Sequence, residues 1–136
     1  IVFVLACVTA FTTGTSWGTM AILIPVVGPV AFHMEGGEYG LITMMCLGAV
    51  LDGAIFGDHC SPISDTTILS STATQCKLIN HVQTQMPYSI LGASIALICG
   101  YLPVALGMNW TLSFVIGIAA IIGAFFILGK KVESPT

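Results

Sequence analysis

Apolar residues run along this chain in long blocks, and the blocks are interrupted where polar residues crowd together. Residues 1–11 are apolar. Thr12, Thr13, Gly14, Thr15, Ser16, Trp17, Gly18 and Thr19 then form a hydroxyl- and glycine-rich run, and apolar residues resume at 20–32. One membrane-crossing helix with a polar break produces this pattern. Glu35, Gly36, Gly37, Glu38, Tyr39 and Gly40 end the apolar periodicity and predict an aqueous loop. Residues 41–57 nearly suffice to cross a bilayer, yet the run passes through a polar centre at 58–67 into a short apolar stretch at 68–73. At ~1.5 Å per residue, one straight helix over all of it would far exceed a ~30 Å hydrocarbon core, so it breaks or re-enters. Pro62 has no backbone donor and its ring clashes with the preceding turn, which puts the break there. Residues 75–85, the longest polar stretch, predict a loop or interfacial helix. Spans at about 88–107 and 112–129 follow, joined by a tight turn at Met108-Asn109-Trp110-Thr111 with Trp110 at the interface. The expected fold is an all-α membrane protein, a multispanning helical bundle with two discontinuous or re-entrant helices at about 1–34 and 41–73.

Composition agrees with a bilayer setting. Of the residues, 56 % are hydrophobic and 7 % charged, with a mean hydropathy of +1.01, whereas an average soluble domain is roughly 25 % charged. The length allows about four or five crossings and leaves no room for a separate soluble domain. Six acids against three bases give a net charge of -3. Without a basic patch to neutralise phosphates, nucleic acid is excluded as a partner and membrane lipid is the expected surroundings. Cys7, Cys46, Cys60, Cys76 and Cys99 are scattered without a paired motif, and most of them read as small buried hydrophobes. The chain opens inside an apolar segment with neither an initiator Met nor a basic flank, so it is expected to be a fragment rather than to begin with a signal peptide. Lys77, Lys130 and Lys131 share one side by parity, which the positive-inside rule makes cytoplasmic. Glu35, Glu38 and Asn109 then face outward, as expected of a multi-pass protein of the cell (inner) membrane.

Chemistry concentrates in the two polar breaks. The second reads Gly57-Asp58-His59-Cys60-Ser61-Pro62-Ile63-Ser64-Asp65-Thr66-Thr67, two carboxylates and an imidazole where lipid is expected. A charge at the bilayer centre costs at least ~2.5–3.5 kcal/mol, so such residues face a cavity and mark an ion or substrate path. Backbone groups freed by a break also need protein or water, and two breaks predict one shared cavity of the kind transporters build. Ser61, Ser64, Thr66 and Thr67 add only oxygen ligands, as do Thr13, Thr15, Ser16 and Thr19 in the first break, and hard cations prefer oxygen. Asp52, on the same apolar run, is a third intramembrane carboxylate. Burial and a like-charged neighbour both favour a protonated acid, which makes proton and sodium competitors for one site. Asp58, Asp65, His59 and Asp52 are therefore the candidate ion-binding and proton-coupling residues, with the hydroxyls as supporting ligands and no metal beyond transported sodium.

Plainer readings stand beside these. Asp65 and Asp58 each suit a helix N-cap. Asp52 suits a structural hydrogen bond, and His59 suits a carboxylate's partner as well as a proton relay. Asp58, His59 and Cys60 raise a metal site, but adjacent side chains diverge and spaced ligand pairs are absent. His33 and His81 read as interfacial. Residues 12–19 double as a close-packing surface, and Gly92, Gly100, Gly117 and Gly123 read as packing positions in the last two spans.

The blocks Thr13-Gly14-Thr15-Ser16-Trp17-Gly18-Thr19 and residues 57–67 closely resemble the NhaC-type sodium/proton antiporter family. The likeness continues through Ser70-Ser71-Thr72-Ala73-Thr74, Gln75-Cys76, His81-Val82, Thr84-Gln85 and Pro87-Tyr88, covering about residues 9–88; Lys77 and Asn80 stand where the family often has acids. The resemblance implies a secondary transporter rather than an enzyme. Residues 1–136 would be the C-terminal part of its transmembrane domain, dependent on a missing N-terminal part. Asp58 and Asp65 fall on the family's signature acids. Sodium ions and protons are the implied partners, and no cofactor is expected. Sodium/proton exchange by alternating access is the leading expectation, and a homo-oligomer is compatible with it. The alternative is sodium- or proton-coupled antiport of an organic anion such as malate or lactate, or of an amino acid. The chain contains no arginine to clamp an anion, which favours cations. A membrane-embedded metal enzyme and a purely structural subunit are the rivals from other classes.

Overall fold

Glycine, proline and hydroxyl residues decide where the helices of this chain stop. A computed structural model describes residues 1–129, in which every regular element is helical. Helix α1, Val2–Thr13, ends as Gly14 turns left-handed at φ 68°, its N–H reaching the Ala10 carbonyl at 2.8 Å. An α-carbon without a side chain adopts that conformation at no steric cost. Thr15 is extended and caps α2, Ser16–Met34, by accepting the Gly18 N–H at 3.3 Å. Helix α3, Leu41–Cys60, stops at Ser61 with Pro62 next in the chain, and α4, Asp65–Ala73, starts after an irregular segment at 61–64. Both breaks lie where polar residues interrupt the apolar runs.

Two compact units make up the chain, the first being Ile1–Ile90 and the second starting at Leu91. In the first, α1, α2 and α3 pack against one another and α4 packs on α3. The α1–α3 contact is a seam of small residues. Ala6 and Ala10 face Gly53 and Gly57, each pair four residues apart and so on one helix face. A Cβ at Gly53 would lie 2.8 Å from the Ala6 Cβ, and one at Gly57 would lie 2.8 Å from the Ala10 Cβ and 2.9 Å from the Phe11 nitrogen. Only glycine lets the two backbones come this close, the usual device where apolar surface alone cannot hold membrane helices together. The seam brings the end of α1 level with the end of α3.

Glu35 holds the opposite end of α3. Its carboxylate accepts hydrogen bonds from the Gly40, Ile42 and Thr43 N–H groups at 3.0, 2.9 and 2.9 Å and from the Thr43 hydroxyl at 2.8 Å. These are the donors that a helix start leaves without partners, and a negative charge there also complements the helix dipole. Partial desolvation pushes the Glu35 carboxyl up, but the hydrogen bonds from Thr43, Ile42 and Gly40 together outweigh it and hold it below the usual carboxylate range.

Helix α5, Leu78–Ile95, begins well before the span expected near residue 88. Leu78, Val82 and Met86 recur every four residues, Val82 is buried, and the Thr84 hydroxyl bonds the Asn80 carbonyl at 2.9 Å, so the polar stretch folds as helix. The helix continues through a π-helical turn, Ala96–Tyr101, into α6, Leu102–Ala105. Pro103 offers no N–H to the Cys99 carbonyl four residues back and crowds it, which widens the turn. The Ser113 hydroxyl of α7, Trp110–Leu128, donates to the Cys99 carbonyl and lies 3.1 Å from that of Gly100. Asn109 caps α7, accepting the Thr111 N–H at 2.9 Å. Cβ atoms placed at Gly92, Gly100, Gly117 and Gly123 would meet no described atom within 4 Å. Among the described residues, close packing falls at Gly53 and Gly57 against the α1 backbone and at Gly14 against Ile63.

Among the described residues, four helices are long and apolar enough to cross a membrane: Ser16–Met34, Leu41–Cys60, Leu78–Ala105 and Trp110–Leu128. The described parts of α1 and α4 are 12 and 9 residues long. Lys130 and Lys131, on which the orientation argument rests, lie outside the described residues.

Two outcomes are expected in the full-length protein. Gly57→Ala forces a Cβ into the α1 backbone and should lower unfolding stability in detergent by ~1–3 kcal/mol, whereas Gly117→Ala should change it by less than ~0.5 kcal/mol. For Glu35, a carboxyl lowered in the folded state stabilises fully above its unfolded value of 4.5 and loses that contribution as pH falls through the lower folded value. Amides at the start of α3 should exchange faster in Glu35→Gln than in the parent at neutral pH, with the difference vanishing on acidification below pH 4.5. A difference that persists in acid would contradict the assignment.

Candidate functional site

Asp58 sits in the last turn of α3 with 1 % of its surface exposed. Two turns of chain wrap the break back over it: the Ser61 N–H reaches the Asp58 carbonyl at 3.2 Å, and the Ser64 N–H reaches the Ser61 carbonyl at 3.4 Å. Residues six and eight positions on thereby meet its side chain. The Ser64 hydroxyl lies 2.9 Å from Oδ1, the Thr66 hydroxyl 2.7 Å from Oδ2, and the two hydroxyls 2.7 Å from each other. The three groups close a triangle of oxygens. Ser64 is buried and Thr66 is exposed, so the triangle opens toward the outside through Thr66.

The second break rests on the first. The Ser61 hydroxyl donates to the Phe11 carbonyl in the last turn of α1 at 2.8 Å and accepts the Ile63 N–H at 3.4 Å. A Cβ at Gly14 would lie 2.8 Å from the Ile63 carbonyl oxygen. Within the first break, the Thr13 and Thr19 hydroxyls stand 3.4 Å apart, and Thr19 also donates to the Thr15 carbonyl at 2.9 Å.

Other candidates are placed apart from the triangle. Asp65 is exposed in the first turn of α4, where Oδ1 accepts the neighbouring Thr66 N–H at 2.8 Å. His59 is exposed and its Nδ1 lies 2.9 Å from the Ile55 carbonyl. A carbonyl only accepts, so Nδ1 carries the proton. Asp52 is exposed on α3, Thr67 is buried on α4, Ser16 opens α2, and the Thr15 hydroxyl is engaged as the α2 cap. The tie from Ser61 to Phe11 spans fifty positions of sequence, beyond the reach of local pattern. The four-residue spacing shared by Ala6 and Ala10 and by Gly53 and Gly57, not read from the sequence above, is the sequence feature that bears on it.

Interrupted helices meeting at a buried acid within apolar spans define the class: a polytopic helical membrane protein built in the manner of ion-coupled carriers. The chain belongs to the Na+/H+ antiporter family, which it matches over residues 1–104. It is 35 % identical over 102 residues to a protein of Haemophilus influenzae named an uncharacterized Na(+)/H(+) antiporter, covering 71 % of this chain and 20 % of that one. With the malate-2H(+)/Na(+)-lactate antiporter of Bacillus subtilis it shares 33 % identity over 87 residues, 64 % of this chain and 18 % of the relative. With the arginine/ornithine antiporter of Halobacterium salinarum it shares 36 % over 94 residues, 68 % and 18 % of the two chains. The chain thus spans about a fifth of the length of these relatives. No solved structure matches it.

Proposed function

We propose that the full-length protein exchanges sodium for protons by alternating access, and that the two ions compete at the Asp58, Ser64 and Thr66 triangle. The carrying observation is a count of protons. Three oxygen–oxygen contacts of 2.7–2.9 Å each need one proton between the atoms. Ser64 and Thr66 supply one each, and the third contact is satisfied when a proton or a cation sits on Asp58.

Removal of that proton leaves one contact as two facing lone pairs and a buried negative charge. Bare, the charge is costly. A small hard cation held by the same oxygens relieves both penalties. Proton or cation therefore satisfies the triangle, and the two exclude each other, which is the requirement for exchange. Asp65, His59 and Asp52, all exposed, serve the approach to the triangle in this reading, and the Thr13 and Thr19 hydroxyls offer further oxygens at the neighbouring break. Family membership supports a carrier of the cell membrane rather than an enzyme, and Na(+) appears in the names of the Haemophilus and Bacillus relatives.

Malate, lactate, arginine and ornithine in two relatives' names favour a second reading. In it the same cation site drives an organic ion bound elsewhere in the full-length protein.

In vesicles carrying the full-length protein, Asp58→Asn should reduce sodium-dependent collapse of a pH gradient to background. Thr66→Val should raise the sodium concentration for half-maximal exchange about tenfold, the size of one lost hydrogen bond. Asp65→Asn should retain exchange. Unchanged exchange in Asp58→Asn contradicts the proposal, and sodium-driven uptake of labelled malate or arginine without sodium/proton exchange selects the second reading.

A further inference from the structure

We infer that Ser61 is a positioning residue that couples the two helix breaks, so that a change at Asp58 is transmitted to residues 14–19; this rests on the Asp58 triangle being the ion site. The segment 61–64 is held from both ends. At Ser64 it is bonded to Asp58 and Thr66, and at Ser61 it is bonded to the Phe11 carbonyl.

The Phe11 carbonyl belongs to the group at a helix C-terminus that has no intrahelical donor. In an apolar setting such a carbonyl needs a partner, and Ser61, fully buried, supplies it. The Ser61 proton is committed to Phe11 and one lone pair to the Ile63 N–H. Its geometry is that of a link between helices.

Ile63 lies between the two anchors, and its carbonyl oxygen is the atom that a Cβ on Gly14 would meet at 2.8 Å, with the Ile63 Cγ1 at 3.0 Å. Gly14 is itself held left-handed at φ 68°. Backbone packed on backbone leaves no slack. When the Asp58 triangle opens, Ser64 moves, Ile63 and Ser61 move with it, and the end of α1 follows through the Phe11 bond. The first break, with its Thr13 and Thr19 hydroxyls, then rearranges together with the second. Alternating access needs such a link, because two breaks that reorganise independently leave a leak open.

Hydrogen exchange of residues 14–19 in the full-length protein in detergent tests the link without reference to cargo. Asp58→Ala, which dismantles the triangle, should change that exchange about three- to tenfold when Ser61 is present and less than about twofold in a Ser61→Ala background. Ser61→Cys, with similar volume and a weaker donor, should fall between them and stands in should Ser61→Ala fail to fold. An equal effect of Asp58→Ala in all backgrounds, or none in any, overturns the inference. In sodium/proton exchange, Ser61→Ala should lower turnover about tenfold with the half-saturating sodium concentration within about twofold. The reverse split makes Ser61 a ligand and overturns the link. Intact coupling between Asp58 and residues 14–19 in a protein that shows no sodium response supports the link and counts against sodium as the ion.

Discussion

A carboxyl group enclosed by protein and lipid has to be matched by a proton or by a cation, and at Asp58 the matching groups come from the far side of a helix break. Ser64 and Thr66 reach it only because α3 ends at Cys60 and the chain turns back through Ser61 and Pro62 before α4 begins. A continuous helix would carry residues six and eight positions on to a different height and face. The break is thus the device that assembles the triangle, and its cost in unpaired backbone groups is offset by the Ser61 bond to Phe11 and by the two turns that close over Asp58.

The rest of the first unit keeps that arrangement at a fixed level. The seam of Ala6 and Ala10 against Gly53 and Gly57 sets the depth of α1 relative to α3, so the carbonyl of Phe11 falls opposite Ser61. Glu35 fixes the other end of α3 through four hydrogen bonds. Helix α3 is therefore gripped at its start by a carboxylate and at its end by a hydroxyl tie, with the Asp58 triangle beside the second grip. In the second unit the same rule of satisfied carbonyls acts on a smaller scale, where Ser113 meets the Cys99 carbonyl, to which Pro103 offers no N–H.

Much of this was legible in the residues because each signal was local. Glycine and threonine at 14 and 15 and proline at 62 mark the breaks by the conformations they allow, and apolar run lengths mark the spans. Asp58 stood out as an acid in a membrane-grade run. The sequence could not say which hydroxyls would face it, since Asp65 and Thr66 are neighbours and only the turn geometry brings the Thr66 hydroxyl, and not the Asp65 carboxyl, onto Asp58. Glu35 looked like one charge in an aqueous loop, and its grip on α3 depends on the chain reversing through Gly36 and Gly37. Gly53 and Gly57 carry the close packing because α1 lies against them, which residue type alone does not reveal.

Infrared difference spectroscopy of the full-length protein at fixed neutral pH, with and without sodium, tests the central claim most directly. A buried protonated carboxyl band should be present without sodium, should disappear when sodium binds, and should be absent in Asp58→Asn. A spectrum with no such band, or one that sodium leaves unchanged, would contradict the account.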